Sequence, residues 1–401
     1  MNSKNSTTAV QPSQAKAPLI VWVVFISTIL SFLGGNFLGY NMTGWAWVIS
    51  LITSLFVILR NPTGITFPVM LWAPWILSVI GYWYFSDFSG QQRSVQLLCP
   101  IIVGAAVSSC KLDEEHLGTV YDMFKYLAGF IILLAGFRAV TEIFTLAAWA
   151  AHVMTIILLS SLFATSYVLG QKKDIFWWWL LAVIPFLALT RTAVVVTGLT
   201  LPLNFAPMKL KKRALFILIL SLLGTILFYT PRLQKKMFQE GVGEMSDVLN
   251  RDFADSGRFY MWKSIDEQIK DSLWFGHGTG SGEAFVRRIT QGLSGYPHND
   301  WRLLMYDYGV FGTAVFALTL IIVSLHAYKR ARTAHGQQKL FFLVGAFSFI
   351  PFALMMYTDN ITVYVSFYGN LQFTILGLAY GTEGKGQRKE ENDKQKVRLR
   401  W

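Results

Sequence analysis

Two polar segments carry most of the residues in this chain that are able to do chemistry. One is SGYPHND, from Ser294 to Asp300, and the other is FGHGTGSGEAF, from Phe275 to Phe285. His298 is the candidate general base. A neutral imidazole accepts a proton near physiological pH, and the groups hydrogen-bonded to it set its orientation. Asn299 and Asp300 are the neighbours placed to orient it, and the plainer reading is a loop histidine that caps the following helix or merely packs. Four arginines, Arg191, Arg258, Arg287 and Arg288, supply permanent positive charge. Arginine presents a planar fork of donors that fits phosphate, so a cluster at a lipid boundary suits a diphosphate. Each is equally open to a structural ion pair, with Asp252, Asp255 and Glu283 as partners. Gly276, Gly278, Gly280 and Gly282 allow close backbone approach and unusual dihedrals, which signals a shaped loop.

Other chemistries lack their residues. The glycine run has no Gly-Lys-Ser/Thr, so it is not a nucleotide P-loop, and no strand precedes it as a dinucleotide fingerprint requires. His277, His298 and Asp300 do not form a metal-ligand spacing, and no HExxH is present. GTGSG matches a serine nucleophile elbow only loosely. No metal and no cofactor are therefore expected.

The elements that must position these residues are set by composition. Of 401 residues, 53% are hydrophobic and only 14% charged, whereas soluble domains carry about a quarter charged residues. This points to an all-α polytopic membrane protein. The net charge of +12 sits in short basic clusters between apolar runs, which is the positive-inside pattern and not a nucleic-acid face. Cys99 and Cys110 lie about 16 Å apart along one helix at roughly 1.5 Å per residue, too far to bridge.

A span takes about 20 largely apolar residues. Twelve segments qualify approximately: 18–37, 42–60, 64–85, 95–110, 119–138, 143–169, 174–190, 192–207, 214–230, 305–327, 339–358 and 361–380. The eighth contains Pro202, which favours a break or tilt. The first reads as a retained helix rather than a cleaved leader. With the N-terminus inside, QKKD (171–174), KLKKR (209–213), YKRARTAHGQQK (328–339) and the basic tail all fall in the cytoplasm, and only KLDEEH (111–116) fits poorly. The chain then divides into a flexible N-terminus (1–17), a first helix bundle (18–230), one large external loop (231–304), final membrane helices (305–380) and a basic tail (381–401). Arg191, at the outer end of the seventh span, and the loop arginines lie outside, where the positive-inside rule disfavours cations. Within the loop, DSGRFYMWKSIDEQIK predicts an amphipathic helix with Phe259, Trp262, Ile265 and Ile269 on its apolar face and Asp255 or Ser256 as cap, a helix suited to lying on the membrane surface.

In order and content these pieces resemble the O-antigen ligase and polymerase family of bacterial envelope glycan enzymes. The residues that carry the resemblance are TRTAVVV from Thr190, SGRFYMW from Ser256, FGHGTGSGEAF from Phe275 and PHNDWRLLMYDYGVFG from Pro297. They cover roughly residues 180–330. The resemblance implies a C-type glycosyltransferase-like fold in the bacterial inner membrane with its active site in the periplasm. It implies transfer of a glycan from undecaprenyl diphosphate to an acceptor hydroxyl. Arg191 and Arg258 take the family's diphosphate-gripping role, with Arg288 as a further candidate, and His298 takes the acceptor-activating role. Gly278 and Gly280 shape the loop.

A polymerase joining lipid-linked repeat units of O-antigen or exopolysaccharide is the leading expectation. A ligase that moves finished glycan to lipid A core, or to protein, shares the same donor chemistry. A lipid-linked glycan transporter is the third reading. It is disfavoured because the expected spans hold few charges away from their ends, chiefly His152 and Lys125 with Asp122. Expected partners are the lipid-linked donor, a glycan or lipid acceptor, membrane lipids and, for a polymerase, a chain-length regulator.

Overall fold

Among the described residues, each of the twelve apolar segments carries a helix, and three more helices lie between residues 231 and 304. The computed structural model describes residues 15–141, 149, 152–238, 240–244, 246 and 258–382. Its helices are α1 (Leu19–Leu33), α2 (Met42–Arg60), α3 (Val69–Trp83), α4 (Phe88–Ser109), α5 (Glu114–Thr141), α6 (Val153–Leu169), α7 (Asp174–Leu187), α8 (Arg191–Leu203), α9 (Leu210–Phe228), α10 (Pro231–Met237), α11 (Arg258–Ile269), α12 (Ser281–Ile289), α13 (Asp300–Ala331), α14 (Gly336–Met355) and α15 (Asn370–Gly381). A two-residue antiparallel ribbon, Asn36–Phe37 with Tyr40–Asn41, joins α1 to α2. Among the described residues, α2, α5, α13 and α14 are each long and apolar enough to cross a bilayer. The pair α9 and α10, bent by 78°, makes a fifth such unit, and five shorter apolar helices accompany them. The chain is thus a helical membrane protein.

Burial separates the inner helices from the outer ones. Every residue of α6 from Val153 to Ser166 is buried, as is α15 from Asn370 to Tyr380. A helix apolar all round belongs in such a position. In α9 only Phe228 is buried, while Leu218 is 68% and Leu222 63% exposed, a surface matched to lipid. Lipid tails are as apolar as leucine, so burial against them is not the driving force. Close contact through small residues contributes instead, as at Ser160, Ser161 and Ala164 of α6. Cys99 is buried, Cys110 is half-buried, and both are free thiols. Polar groups of α5 are tied locally: Tyr121, buried, donates to Ser166 Oγ at 2.7 Å, and on the exposed side Lys125 meets Asp122 at 3.1 Å.

Three local differences from the sequence expectations matter for the site. Helix α4 begins at Phe88, several residues before the expected span, because Asp87 caps it by accepting the Gly90 N–H at 2.7 Å. That brings Arg93 inside the helix. Arg191 opens α8 instead of ending α7, since the chain turns through Ala188 to Thr190. In α11 the buried stripe is Met261, Ile265 and Ile269, packed on Val286 and Tyr306, while Phe259 stays 63% exposed. The apolar face of this helix therefore packs on protein, on α12 and α13. The proposed caps Asp255 and Ser256, the candidate partner Asp252, and nearly all of both terminal segments lie outside the described residues.

Candidate functional site

The site is built on a break in α13. Gly309 sits in the middle of that helix with φ 64° and ψ −170°, so the helical ladder is interrupted there. The chain from Leu273 to Gly278 crosses at the break and completes the ladder from outside. His277 N–H donates to Tyr306 O and Gly278 N–H to Asp307 O, both at 2.9 Å. Val310 N–H returns a bond to Leu273 O at 2.8 Å and Phe311 N–H one to Trp274 O at 3.2 Å. Gly276 faces Gly309 across this crossing, and a Cβ on either would run into the other's backbone segment. Asp307, buried, then caps α12. Its carboxylate accepts from Gly280 N–H and Gly282 N–H at 2.8 Å and from Ser281 Oγ at 3.2 Å. Gly278 and Gly280 adopt φ of 101° and 83°, values open to glycine and costly for other residues. The glycine-rich segment is thus a plug in a broken helix and the start of α12.

The second polar segment lies at the N-terminus of α13. Asn299 caps that helix, its Oδ1 accepting Arg302 N–H at 3.0 Å. Asp300 is fully buried; its Oδ2 accepts Thr362 N–H at 2.7 Å, and its own N–H donates to Met356 O at 2.7 Å. Neither side chain is hydrogen-bonded to His298. The imidazole is held from the turn between α14 and α15: Nδ1 lies 3.3 Å from Asp359 Oδ1 and 3.3 Å from Asn360 Nδ2. His298 is 40% exposed at its side chain and has φ 53°. Left-handed backbone at a non-glycine residue costs of order 1–3 kcal/mol and persists only where its surroundings impose it. Tyr296, two residues before it, is half-buried; burial first, then the charge of Glu283, push its phenol up.

The arginines separate. Arg258 opens α11 and donates from Nη1 to Thr358 O at 2.9 Å, one residue from Asp359. It therefore shares the turn that holds His298. Arg191 Nη1 donates to Lys236 O at 3.5 Å, a contact with the end of α10 and not with that turn. Arg287 pairs with Glu283 at 2.9 Å on α12, the structural ion pair that the sequence leaves open. Arg288 lies beside it in a shallow cleft between α12 and the start of α4, with Asp87 and Ser89.

Two residues of this cluster escape the sequence reading. Asp359 is the carboxylate that faces His298, and its only sequence signal is an acid between the last two apolar segments. Arg93 is 8% exposed, and its Nη2 donates to Thr362 Oγ1 at 2.6 Å. Its signal, a lone cation at the edge of the fourth segment, is masked by the polar GQQR around it. Among the described residues no group of three or more His, Cys, Asp or Glu is placed to hold a metal ion.

Against known families, residues 176–317 match the model of a family described as O-antigen ligase. That segment contains Arg191, Arg258, Arg288 and His298, while Asp359 and Arg93 lie outside it. A search of curated proteins gave no match to the chain.

Proposed function

We propose that the likeness of residues 176–317 to the O-antigen ligase family extends to chemistry, and that this chain joins undecaprenyl-diphosphate-linked repeat units of O-antigen or exopolysaccharide at the periplasmic face of the bacterial inner membrane. In this reading the chain has about twelve spans in a C-type glycosyltransferase-like arrangement, with both termini in the cytoplasm. The observation that carries it is one turn, residues 358–360, that holds a histidine and an arginine side by side.

The reaction divides between them. The acceptor hydroxyl oxygen bonds to the anomeric carbon of the donor sugar, and the bond from that carbon to the diphosphate breaks. The electron pair of that bond departs with the lipid diphosphate. A proton on His298 Nδ1 answers the Asp359 carboxylate, with the Asn360 amide turned so that its otherwise unpaired Oδ1 faces the same proton, and leaves Nε2 to take up the hydroxyl proton, a contribution of about a hundredfold or more. Arg258 stabilises the charge that moves onto the diphosphate, and the loss of one such fixed donor costs about 3–4 kcal/mol. Arg191, in contact with the end of α10, and Arg288, in the cleft beside Asp87 and Ser89, are further candidates for the diphosphate and rank behind Arg258, whose bond to Thr358 O ties it to the turn. No nucleotide or metal has a role in this scheme, and a chain-length regulator is a partner suited to a polymerase.

The test is turnover by purified protein in lipid, supplied with synthetic undecaprenyl-diphosphate-linked repeat. A ladder of longer lipid-linked glycans is expected, lost in Arg258→Ala. Product only after lipid A core is added would make the chain a ligase. Movement of the lipid-linked glycan without bond formation would make it a transporter.

A further inference from the structure

The outward face of α11 is unusual for a helix beside a membrane. Its apolar stripe is used on α12 and α13, which leaves Phe259, Trp262, Lys263, Asp266, Glu267 and Lys270 facing a cleft of about 670 Å³ with Arg302. Arg302 makes a two-bond fork to Asp266, at 2.8 and 3.1 Å, and its guanidinium stacks over the Trp262 ring at 4.6 Å. Asp266 and Arg302 also line an adjoining pocket of about 550 Å³ with Asn299, Trp301 and Tyr357. Asn299 is fully buried; its Oδ1 is committed to the helix cap, and its Nδ2 has no partner. Tyr357 is 57% exposed at the rim, 6.2 Å from Trp262 ring to ring.

We infer that this double cleft is a saccharide subsite that seats the acceptor glycan. A sugar ring offers an apolar C–H face and a rim of hydroxyls. The first suits the electron-rich faces of aromatic rings, and the second suits carboxylate, guanidinium and amide groups with fixed geometry. All of these are present here. A lipid surface does not fit as well, because the charges of the cleft are mixed, Lys263 and Lys270 against Glu267, and Arg302 is spent on Asp266, which leaves no uniformly cationic face for anionic headgroups. The cleft belongs to the acceptor because of what adjoins it. Trp262 Nε1 donates to Pro297 O at 2.7 Å, and Asn299, which lines the second pocket, follows His298 directly, so the walls of the cleft are continuous in sequence with the segment that carries the imidazole. Arg258, Trp262 and Asp266 recur at i, i+4 and i+8 on α11. Trp262 and Asp266 therefore follow Arg258 at roughly 6 and 12 Å along one helix face. That face meets the diphosphate at its start and the acceptor sugar further along.

The assignment to the acceptor rests on the transferase reading; binding of sugar does not. Two measurements on the full chain in nanodiscs keep them apart. Saturation transfer is recorded to a panel of free methyl glycosides and disaccharides of hexoses, 6-deoxyhexoses and N-acetylhexosamines, for the wild type, Asp266→Asn and Tyr357→Ala. Initial rates are then taken against acceptor and donor separately. At least one sugar is expected to give a signal that both variants weaken. Acceptor KM should rise about tenfold in Asp266→Asn, the loss expected for one hydrogen bond to a charged group, with kcat and donor KM held. Tyr357, exposed at the rim, keeps the test valid should Asp266→Asn disturb Arg302. No signal from any sugar, or equal signals from all three proteins, overturns the subsite. A rise in donor KM instead overturns its assignment to the acceptor. Sugar binding that both variants weaken, without any product, upholds the subsite while the transferase reading fails.

Discussion

The two polar segments that stand out in this apolar chain are put to opposite uses. From Leu273 to Gly282 the hydrogen bonds close: the segment and the broken helix exchange four backbone bonds at Gly309, and Asp307 takes three more from the start of α12. Around Ser294 to Asp300 they do not. Arg93 Nη1, Asn299 Nδ2, Asp300 Oδ1 and Asn360 Oδ1 are buried there without partners, and His298 is held in left-handed backbone. Unpaired buried polar atoms also occur within the bundle, at Ser160, Thr165 and Thr197 for example, but here they accompany a histidine held in strained backbone, and it is that combination that marks a place kept for something other than stability. Polarity and glycine content alone do not distinguish a site from a scaffold; the state of the hydrogen bonds does.

The largest expected effect tests the scaffold half. A Cβ at Gly309 would collide with the Trp274 carbonyl and the Phe275 amide, neither of which can move without opening the crossing, and φ 64° is strained for alanine as well. Gly309→Ala should therefore lower stability by about 4 kcal/mol or more, in the range reserved for forced overpacking and backbone strain. It should be seen as a large fall in thermal midpoint or a loss of folded protein. A midpoint near the wild type would mean that the crossing is loose, and the contrast between the two segments would fail on its structural side.

The sequence shows the elements more clearly than it shows the contacts between them. Apolar runs locate the twelve helices that carry them, while α10, α11 and α12 lie in the polar stretch between 231 and 304 and need other signals, such as the amphipathic spacing of α11. The break in α13 is invisible to that criterion, since DYGVFG reads as continuous helix until another chain segment is seen to fill it. For the same reason the glycine run looks like ligand chemistry until its partners are known. His298 and Arg258 are legible through motif, but their meeting at residues 358–360 depends on a turn a hundred residues beyond Arg258. Asn299 and Asp300 are legible as polar neighbours of His298, while their real tasks, a cap for α13 and an anchor for Thr362, need the fold. Arg93 is lost to the eye because a polar first turn hides where a buried helix begins.

The next effect sharpens the functional half by separating side chain from backbone. Removal of the imidazole should cost about a hundredfold in turnover, equivalent to about 2.7 kcal/mol. Glycine tolerates φ 53° and alanine does not. His298→Gly and His298→Ala should therefore show the same loss of kcat, while His298→Gly has the higher thermal midpoint. Equal midpoints would show that the backbone at this position carries no strain. Retained turnover in both would remove His298 from the chemistry and leave Arg258 as the sole catalytic group of the turn.

The smallest effect returns to the scaffold with a change of a single atom type. Asp307 offers two oxygens to two N–H groups at the start of α12, and asparagine offers one oxygen and one amide nitrogen. In Asp307→Asn one backbone N–H, of Gly280 or Gly282, must face a donor. A buried group left unsatisfied costs about 1–3 kcal/mol. The thermal midpoint should drop by a few degrees, while kcat and both KM values of the folded protein stay close to those of the wild type, because Asp307 holds only the first turn of α12 and touches neither His298 nor Arg258. If turnover instead falls with stability unchanged, the carboxylate at Asp307 contributes to the reaction, and the glycine-rich segment would have to be counted as part of the site.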